Sequence, residues 1–131
     1  MNEIKYIAVS EVMKPKIGIV DGLVTVAEAM DKMREEKNGS LIVDKRDDHD
    51  EYGLISIGDI SEKVIVPDNA PERMSAYQIM TKPVLSVESD MNIRYAIRLL
   101  SRFKISRALV LDCGKAVGIV SLRDMVLRYH E

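Results

Sequence analysis

Cysteine is nearly absent from this sequence, which has Cys113 alone among 131 residues. A single cysteine excludes an internal disulfide and a zinc site built from several cysteines. Long apolar runs are missing too, because no stretch approaches the roughly 18 residues needed to span a bilayer. The start, MNEIKYIAVS, has neither the basic region nor the apolar core of a signal peptide. We therefore expect a cytoplasmic protein with no membrane segment.

Signatures of catalysis and metal binding are also missing. The sequence contains no P-loop, no GxGxxG motif and no Ser/His/Asp order typical of a hydrolase. Its two histidines, His49 and His130, lie in an acidic loop and beside the last residue. The acidic loop, DKRDDHDEY, does not match the spacing of an EF-hand, so it is interpreted as a solvated, flexible hairpin tip. We therefore expect neither an enzyme nor a metal site.

Charge of one sign is not in large excess, since 19 Lys and Arg stand against 21 Asp and Glu, a net charge of −2. This balance argues against nucleic-acid or membrane binding. The halves differ: residues 1–74 have 10 basic and 16 acidic residues, and residues 75–131 have 9 and 5. The second half therefore suits an anionic ligand better, although Arg94, Arg98 and Arg102, four residues apart, are also typical of a solvated helix face.

The main feature of the sequence is an internal repeat. GLISIGDIS, which begins at Gly53, returns 65 residues later as GIVSLRDMV, which begins at Gly118. Three further segments repeat at shifts of 67 or 68: VMKPKIGIV with IMTKPVLSV, VAEAMDKM with IRYAIRLL, and SLIVD with ALVLD. These matches place the first repeat at residues 7–66, a proline-containing linker at 67–74 and the second repeat at 75–131.

Each repeat predicts the same elements, β-α-β-β-α, preceded by a helical turn. Apolar residues at positions i, i+3, i+4 and i+7 predict one buried face on each long helix, with Thr25 and Asn92 as N-caps. Two β-branched runs then form a hairpin, which turns tightly at Gly114 in the second repeat. Because about sixty residues make a marginal core, we expect an α/β (α+β) fold whose two repeats pack through their sheets with pseudo-twofold symmetry.

The repeated motif is a glycine, two apolar residues, a serine, two residues and an aspartate, placed where the last strand meets the closing helix. Backbone N–H groups at a helix start favour phosphate, to which Ser56 or Ser121 adds a hydroxyl donor. Asp59 and Asp124 lie one turn further on, where a carboxylate can accept hydrogen bonds from ribose hydroxyls. A nucleotide fits this spacing, but so does a helix cap, since Ser-x-x-Asp is close to a capping box. The residues alone leave both interpretations open.

The chain resembles, over nearly its whole length, a tandem pair of cystathionine-β-synthase (CBS) domains, the Bateman module. The resemblance rests on the ordered segments VM-KP, VAEAMDKM, SLIVD and GLISIGDI and on their second copies. It implies a regulatory module, such as an energy sensor, that forms a homodimer and binds AMP, ADP, ATP or S-adenosylmethionine in clefts between the repeats. It also implies that Ser56 and Ser121 hold phosphate and that Asp59 and Asp124 hold ribose.

The resemblance further implies residues at the first strand of each repeat that wall the base. These are Ile17 and Gly18 in one copy, and Val84 and Leu85 in the other. A basic residue before the central strand meets the phosphates in this family, and Arg107 in ISRALVLD fits that role. The equivalent stretch of the first repeat, NGSLIVD, offers Asn38 and Gly39 and no cation. We therefore expect unequal sites, of which the one with Arg107, Ser121 and Asp124 is the better.

A structural dimerisation module without a ligand is the second function that the sequence allows. The closing helices have apolar faces that we expect to supply a dimer surface in either case. Those faces include Ile60, Val64, Met125, Val126 and Tyr129. A sensor also needs an output, so we expect a regulated protein partner, which the sequence does not identify.

Overall fold

The computed structural model describes residues 5–130 as two compact units. Residues 18–84 form one unit, here called the central unit. Residues 85–130 form the other, the terminal unit, together with a leading segment, residues 5–17. The units do not coincide with the sequence repeats, because the segment that leads into each repeat belongs to the unit that contains the other repeat's hairpin.

The central unit is built on a three-stranded sheet. Its strands and α-helices are β1 (Ile19–Val20), α1 (Val26–Glu36), β2 (Ser40–Val43), β3 (Gly53–Ser56), α2 (Ile57–Ile60) and α3 (Ala76–Ile79). A π-helical stretch, Ser61–Ile65, directly continues α2, and a 3₁₀ turn, Pro71–Arg73, precedes α3. The strand order is β1-β2-β3, with β1 parallel to β2 and β3 antiparallel to it.

The terminal unit repeats this plan. After a 3₁₀ turn, Val9–Glu11, its elements are β4 (Ser86–Glu88), α4 (Ile93–Phe103), β5 (Arg107–Asp112), β6 (Lys115–Ser121) and α5 (Leu122–Tyr129). The strand order is β4-β5-β6, again with one parallel and one antiparallel pairing. The predicted order β-α-β-β-α and the mixed α/β class are therefore confirmed. Among residues 5–130, no helix is long and apolar enough to cross a membrane.

The two long helices begin and end where local chemistry requires. Thr25 caps α1: its Oγ1 accepts the N–H of Glu28 at 3.0 Å, and the Glu28 carboxylate reaches back to complete a capping box. The side chain of Asn92 caps α4 by accepting the N–H of the second helical residue at 3.2 Å. Both helices end on a left-handed residue, Lys37 with φ 53° and Lys104 with φ 55°. Both predicted N-caps are confirmed.

Each unit has its own apolar core. The core of the central unit consists of Val20, Val26, Ala29, Met33, Leu41, Val43, Ile55, Ile60, Val64, Ala76 and Ile79. The core of the terminal unit consists of Val9, Val87, Ile93, Ala96, Leu100, Ala108, Val110, Val120 and Met125. Ile60, Val64 and Met125 are at most 3% exposed. The expectation that they supply a dimer surface is therefore wrong, because their own unit buries them; Val126 remains 45% exposed.

The leading segments are exchanged in the same way in both units. In the terminal unit, Lys14 forms an antiparallel bridge with Ile119 of β6 through two backbone hydrogen bonds of 2.8 and 3.0 Å. In the central unit, Thr81 forms the same bridge with Leu54 of β3, with hydrogen bonds of 2.8 and 2.9 Å. Each last strand thus receives one extra partner from the segment that leads into the opposite repeat.

This exchange explains the glycine of the repeated motif. A Cβ on Gly118 would lie 2.7 Å from the carbonyl oxygen of Lys14 and 2.7 Å from Sδ of Met13. A Cβ on Gly53 would lie 2.7 Å from Sδ of Met80. Real Cβ atoms do not approach other atoms so closely, so the glycine is required by the close approach of the exchanged segment.

Candidate functional site

The structure places both copies of the serine–aspartate pair at a helix start. Ser56 ends β3 and is the N-cap of α2, with Asp59 at the third helical position. Ser121 ends β6 and is the N-cap of α5, with Asp124 at the third helical position. All four side chains belong to half-buried residues. The two copies share this position in the fold, but their hydrogen bonds differ.

In the central unit the pair is closed on itself. Oγ of Ser56 donates to Oδ2 of Asp59 at 2.9 Å, and the N–H of Ser56 donates to the same oxygen at 3.1 Å. The N–H of Asp59 donates back to Oγ at 3.1 Å, which completes a capping box. Nζ of Lys63 lies 3.7 Å from the other carboxylate oxygen, Oδ1. The single hydroxyl proton of Ser56 and the carboxylate of Asp59 are therefore already engaged.

In the terminal unit the pair is open. The N–H of Asp124 donates to Oγ of Ser121 at 3.0 Å, so the serine caps α5 as an acceptor. No residue within 5–130 donates a hydrogen bond to the Asp124 carboxylate or accepts the Ser121 hydroxyl proton. One donor and one carboxylate thus remain available at the start of an eight-residue helix, whose positive dipole end favours an anion. The N–H groups of Leu122 and Asp124 are already bonded there, to the carbonyl of Ser106 at 2.8 Å and to Oγ of Ser121.

Strand register brings a cation to the open pair. Arg107 lies directly across from Ser121 in the antiparallel ladder of β5 and β6, so both side chains emerge on the same face of the sheet. Arg107 is exposed and forms no ion pair with a described residue. In the central unit the residue opposite Ser56 is Ser40, one position later than Gly39, which the sequence alignment matches with Arg107. Strand pairing therefore relates β2 to β5 by a shift of 67, one less than the shift of 68 that aligns SLIVD with ALVLD, so the structural counterpart of Arg107 is Ser40.

The predicted base-wall residues of the central unit have clear structural roles. Gly18 is buried, and its carbonyl accepts the N–H of Ile42 at 2.8 Å. A Cβ at Gly18 would lie 2.6 Å from Cδ2 of Leu41, so a larger residue would force the buried Leu41 side chain to move. Val84 is half-buried and donates its N–H to the carbonyl of Tyr52 at 3.1 Å.

The other two base-wall residues belong to the terminal unit. Leu85 is half-buried against the apolar core, and its carbonyl accepts the N–H of Leu109 at 2.9 Å. Ile17 is half-buried at the end of the leading segment. The two residues of each predicted base wall therefore belong to different units. Ile17 and Leu85 lie in the terminal unit with Ser121, whereas Gly18 and Val84 lie in the central unit.

The acidic hairpin loop holds a network that sequence reasoning missed. The Asp50 carboxylate forms an ion pair with Lys82 and accepts hydrogen bonds from the N–H of Arg46 at 2.8 Å and from its Nε at 3.3 Å. The Asp50 side chain is only 8% exposed, and Lys82, followed by Arg46, holds the pKa of Asp50 well below its usual range. The loop borders a cavity of about 550 Å³ that Leu23, Tyr77 and Met80 also line. Within residues 5–130 no three His, Cys, Asp or Glu side chains are grouped to hold a metal ion.

Comparison with known proteins defines the class. The sequence profile of the family described as "CBS domain" matches the chain twice, at residues 9–66 and 76–131. A tandem CBS pair is a regulatory module, and the matched segments carry both copies of the serine–aspartate motif. The chain belongs to the CBS domain family.

Relatives and solved structures agree with this assignment. An uncharacterised protein of Methanopyrus kandleri is 32% identical over 121 residues, which cover 92% of this chain and 61% of the relative. The chain spans about three fifths of the length of the first two curated relatives it matches. A hexameric CBS-CP12 protein from bloom-forming cyanobacteria is 32% identical with a TM-score of 0.86, over 94% of this chain and 68% of that one. A CBS domain protein of Pyrobaculum aerophilum in complex with AMP shares the fold, with 20% identity and a TM-score of 0.80 over 95% of this chain and 98% of that one.

Proposed function

We propose that this chain is a non-catalytic regulatory module that binds an adenosine-containing ligand at the serine–aspartate motif of the terminal unit. The ligand class comprises AMP, ADP, ATP and S-adenosylmethionine. The observation that carries the proposal is the contrast between the two copies. Ser121 and Asp124 have a hydroxyl proton and a carboxylate to offer, whereas Ser56 and Asp59 have bonded theirs to each other.

The open pair offers the groups that a nucleotide needs. Arg107 and the Ser121 hydroxyl supply donors for phosphate, and Arg107 and the positive dipole end of α5 supply positive charge. Asp124 lies one turn into the helix, where its two carboxylate oxygens can accept bonds from the vicinal hydroxyls of a ribose. Leu85 and Ile17 offer apolar surface for the base from the same unit. The AMP complex of the Pyrobaculum aerophilum protein supports this ligand class.

Unit charge also favours the terminal site. The described residues of the terminal unit contain eleven Lys and Arg against five Asp and Glu, a net charge of +6. The central unit contains eight against fourteen, a net charge of −6. An anionic ligand is therefore attracted to the first and repelled by the second. A ligand at the central copy, walled by Gly18 and Val84, would also have to break the closed Ser56–Asp59 pair.

The module signals, in this proposal, through a homodimer or through a protein that it regulates. A ligand shifts an equilibrium only if it binds two states with different affinity. Binding at the start of α5 adds contacts to that helix, so a contact made by α5 can respond to the ligand. The exposed side chains of Val126 and Leu127 on α5 offer apolar surface for such a contact.

A ligand-free structural module is the second candidate. The closed capping box of Ser56 and Asp59 favours it, because that copy of the motif already has a complete structural role. If Ser121 and Asp124 act only as a cap as well, no nucleotide binds either unit.

Isothermal titration of ligand-stripped protein with AMP, ADP, ATP and S-adenosylmethionine decides between the two candidates. We expect AMP to bind the wild type with micromolar affinity, Asp124→Asn to weaken binding at least tenfold, and Asp59→Asn, the matched control, to leave the affinity unchanged. Arg107→Ser introduces the residue found at position 40 and should weaken phosphate-bearing ligands while sparing S-adenosylmethionine. Absence of heat with all four ligands, for a folded protein, would refute the nucleotide proposal.

A further inference from the structure

The cavity beside the acidic hairpin loop lies at the end of its sheet away from the serine–aspartate motif. In the ladder of β2 and β3, Ser40 pairs with Ser56, whereas Val43, which lines the cavity, pairs with Gly53 three residues further along. Three strand residues span about 10 Å. The cavity is therefore separate from the Ser56–Asp59 copy of the motif. Its volume of about 550 Å³ is typical of a small-molecule site.

The Asp50 network holds the hairpin loop against the rest of the central unit. Asp50 accepts the N–H of Arg46 within the loop and pairs with Lys82, which belongs to the segment after α3. Met80 of the same segment packs on the apolar core and lines the cavity. The loop and this segment are thus tied together on the cavity wall, so a ligand would enter a site that is already formed.

Apolar side chains provide much of the cavity lining. Val43 is buried and Met80 is half-buried, whereas Leu23 is 76% and Tyr77 is 51% exposed. The N–H of Tyr77 donates to the carbonyl of Gly22 at 3.0 Å, which holds the tyrosine beside the turn that carries Leu23. Large apolar side chains that are exposed together around one cavity are typical of a binding site.

The charged groups of the cavity leave a surplus of negative charge. Both cations bind the same carboxylate, that of Asp50. Asp21 and Asp44 form no ion pair with any residue between 5 and 130. Each of these two carboxylates accepts one backbone N–H through Oδ1 at 2.8 Å, so each keeps its charge and its second oxygen for a ligand. The lining thus has three carboxylates and two cations: Asp21, Asp44, Asp50, Arg46 and Lys82.

We propose that this cavity binds a small organic cation, a primary amine or a guanidine that carries an apolar chain or ring. The cationic group would bind the carboxylates of Asp21 and Asp44, and the apolar body would pack on Leu23, Met80 and Tyr77, whose ring face also attracts cations. The net charge of −6 on the central unit favours a cation and disfavours an anion. This inference goes beyond the nucleotide of the proposed function and does not depend on it.

The terminal unit differs from the central unit at the equivalent positions. The repeat shift of 67 matches Leu23 with Asp90 and Tyr77 with Ser10, so neither apolar side chain is repeated. The loop of residues 44–52 is replaced by a turn of two residues, 113 and 114. The cation site is therefore expected in the central unit alone, and the terminal unit supplies matched control substitutions.

NMR titration with three probes of similar size and different charge tests the inference. At pH 7, 2-phenylethylamine is a cation, 2-phenylethanol is neutral and 3-phenylpropionate is an anion. We expect the amine to shift the amide resonances of Gly22, Leu23 and Tyr77 saturably, with a dissociation constant in the millimolar range or below. The alcohol should bind about fivefold more weakly at 50 mM NaCl, and the anion more weakly still. Absence of these shifts with the amine, or binding of the alcohol or the anion as tight as that of the amine, would overturn the inference.

Variants that remove charge assign the binding to the two free carboxylates. Asparagine can keep the hydrogen bond that each aspartate accepts through Oδ1, so Asp21→Asn/Asp44→Asn should fold as the wild type does. We expect this variant to weaken the amine about fivefold and to leave the alcohol unchanged. The matched control in the terminal unit, Glu88→Gln/Asp112→Asn, should change neither affinity. Leu23→Ser should weaken the amine and the alcohol alike, because it removes apolar contact and no charge.

The outcomes separate this site from the nucleotide site. An amine affinity unchanged by Asp21→Asn/Asp44→Asn, or lowered equally by the control variant, would contradict the assignment to the cavity. An amine affinity unchanged by Leu23→Ser would contradict the apolar contact. AMP should bind the Asp21→Asn/Asp44→Asn variant as it binds the wild type, and a wild type that binds the amine but no AMP would refute the nucleotide proposal alone.

Discussion

The substitution Gly118→Ala tests the close approach of the leading segment to β6. The new Cβ would lie 2.7 Å from the Lys14 carbonyl oxygen, about 0.7 Å inside ordinary van der Waals contact. That oxygen cannot move aside without cost, because it accepts the N–H of Ile119 at 3.0 Å in the bridge that holds the segment. Gly53→Ala meets a softer obstacle, since its Cβ would meet the sulfur of Met80, at the end of a flexible side chain.

The expected loss follows from three contributions. Overpacking of this kind costs about 1–3 kcal/mol. Weakening two backbone hydrogen bonds adds up to about 1 kcal/mol each. Alanine also restricts the unfolded chain, which offsets about 0.4–1 kcal/mol. We expect a net loss of about 2 kcal/mol for Gly118→Ala, a fall in Tm of about 7 °C for a chain of this size, and about half of that loss for Gly53→Ala.

Thermal and urea unfolding, followed by circular dichroism, measures these losses. Gly39→Ala is the matched control, because its Cβ would lie 3.6 Å from Ile57, which is ordinary contact. That control should change the free energy of unfolding by less than about 0.5 kcal/mol. If Gly118→Ala proves as stable as Gly39→Ala, the leading segment does not pack on β6 as described.

Two further outcomes follow from the described contacts. Asp59→Asn breaks a closed capping box and should lower the free energy of unfolding, measured in urea, by about 1 kcal/mol. Asp124→Asn should lower it by less than about 0.5 kcal/mol. Equal losses would contradict the contrast between the two copies of the motif. Because Lys82 lowers the pKa of Asp50, that carboxyl should remain ionised at pH 3 in an NMR titration, and Lys82→Met should raise its pKa. The stabilising contribution of Asp50 is present above the ordinary aspartate pKa of about 4 and is lost as the pH falls below it, so the stability difference between wild type and Lys82→Met should shrink with acidification. An Asp50 pKa unchanged by Lys82→Met would show that the ion pair does not form.

Local chemistry explains why much of the fold is predictable from sequence. Helix α1 is predicted by the spacing of its apolar residues and by the capping pair Thr25 and Glu28, and all of these residues lie close together in the sequence. The same holds for α4 after Asn92 and for the turn at Gly114, whose φ of 80° suits glycine. The helix start at each serine–aspartate pair follows from the same kind of local pattern.

The rest depends on partners distant in the chain. Alignment of the repeats matches each segment with its equivalent in the other repeat and says nothing about which segments pair in space. It therefore contains no signal that Lys14 pairs with β6 rather than with a strand of its own repeat. Nor does it distinguish the closed pair of the first copy from the open pair of the second, since both read Ser-x-x-Asp. The anchoring of Asp50 by Lys82 was missed because the two lie 32 residues apart, and the repeat alignment contains no signal that pairs them.

The exchange of leading segments is the arrangement that domain swapping between two identical single-repeat chains would leave behind once the chains were joined. Each leading segment then covers the repeat to which it was not originally attached. A chain cut in the linker separates Thr81 from β3 and Lys14 from β6, so neither half retains a complete sheet edge. Two halves produced as separate polypeptides should therefore recover the native pairing of their leading segments only by binding each other. In the tandem chain the same contacts form within one polypeptide, so their formation does not depend on protein concentration.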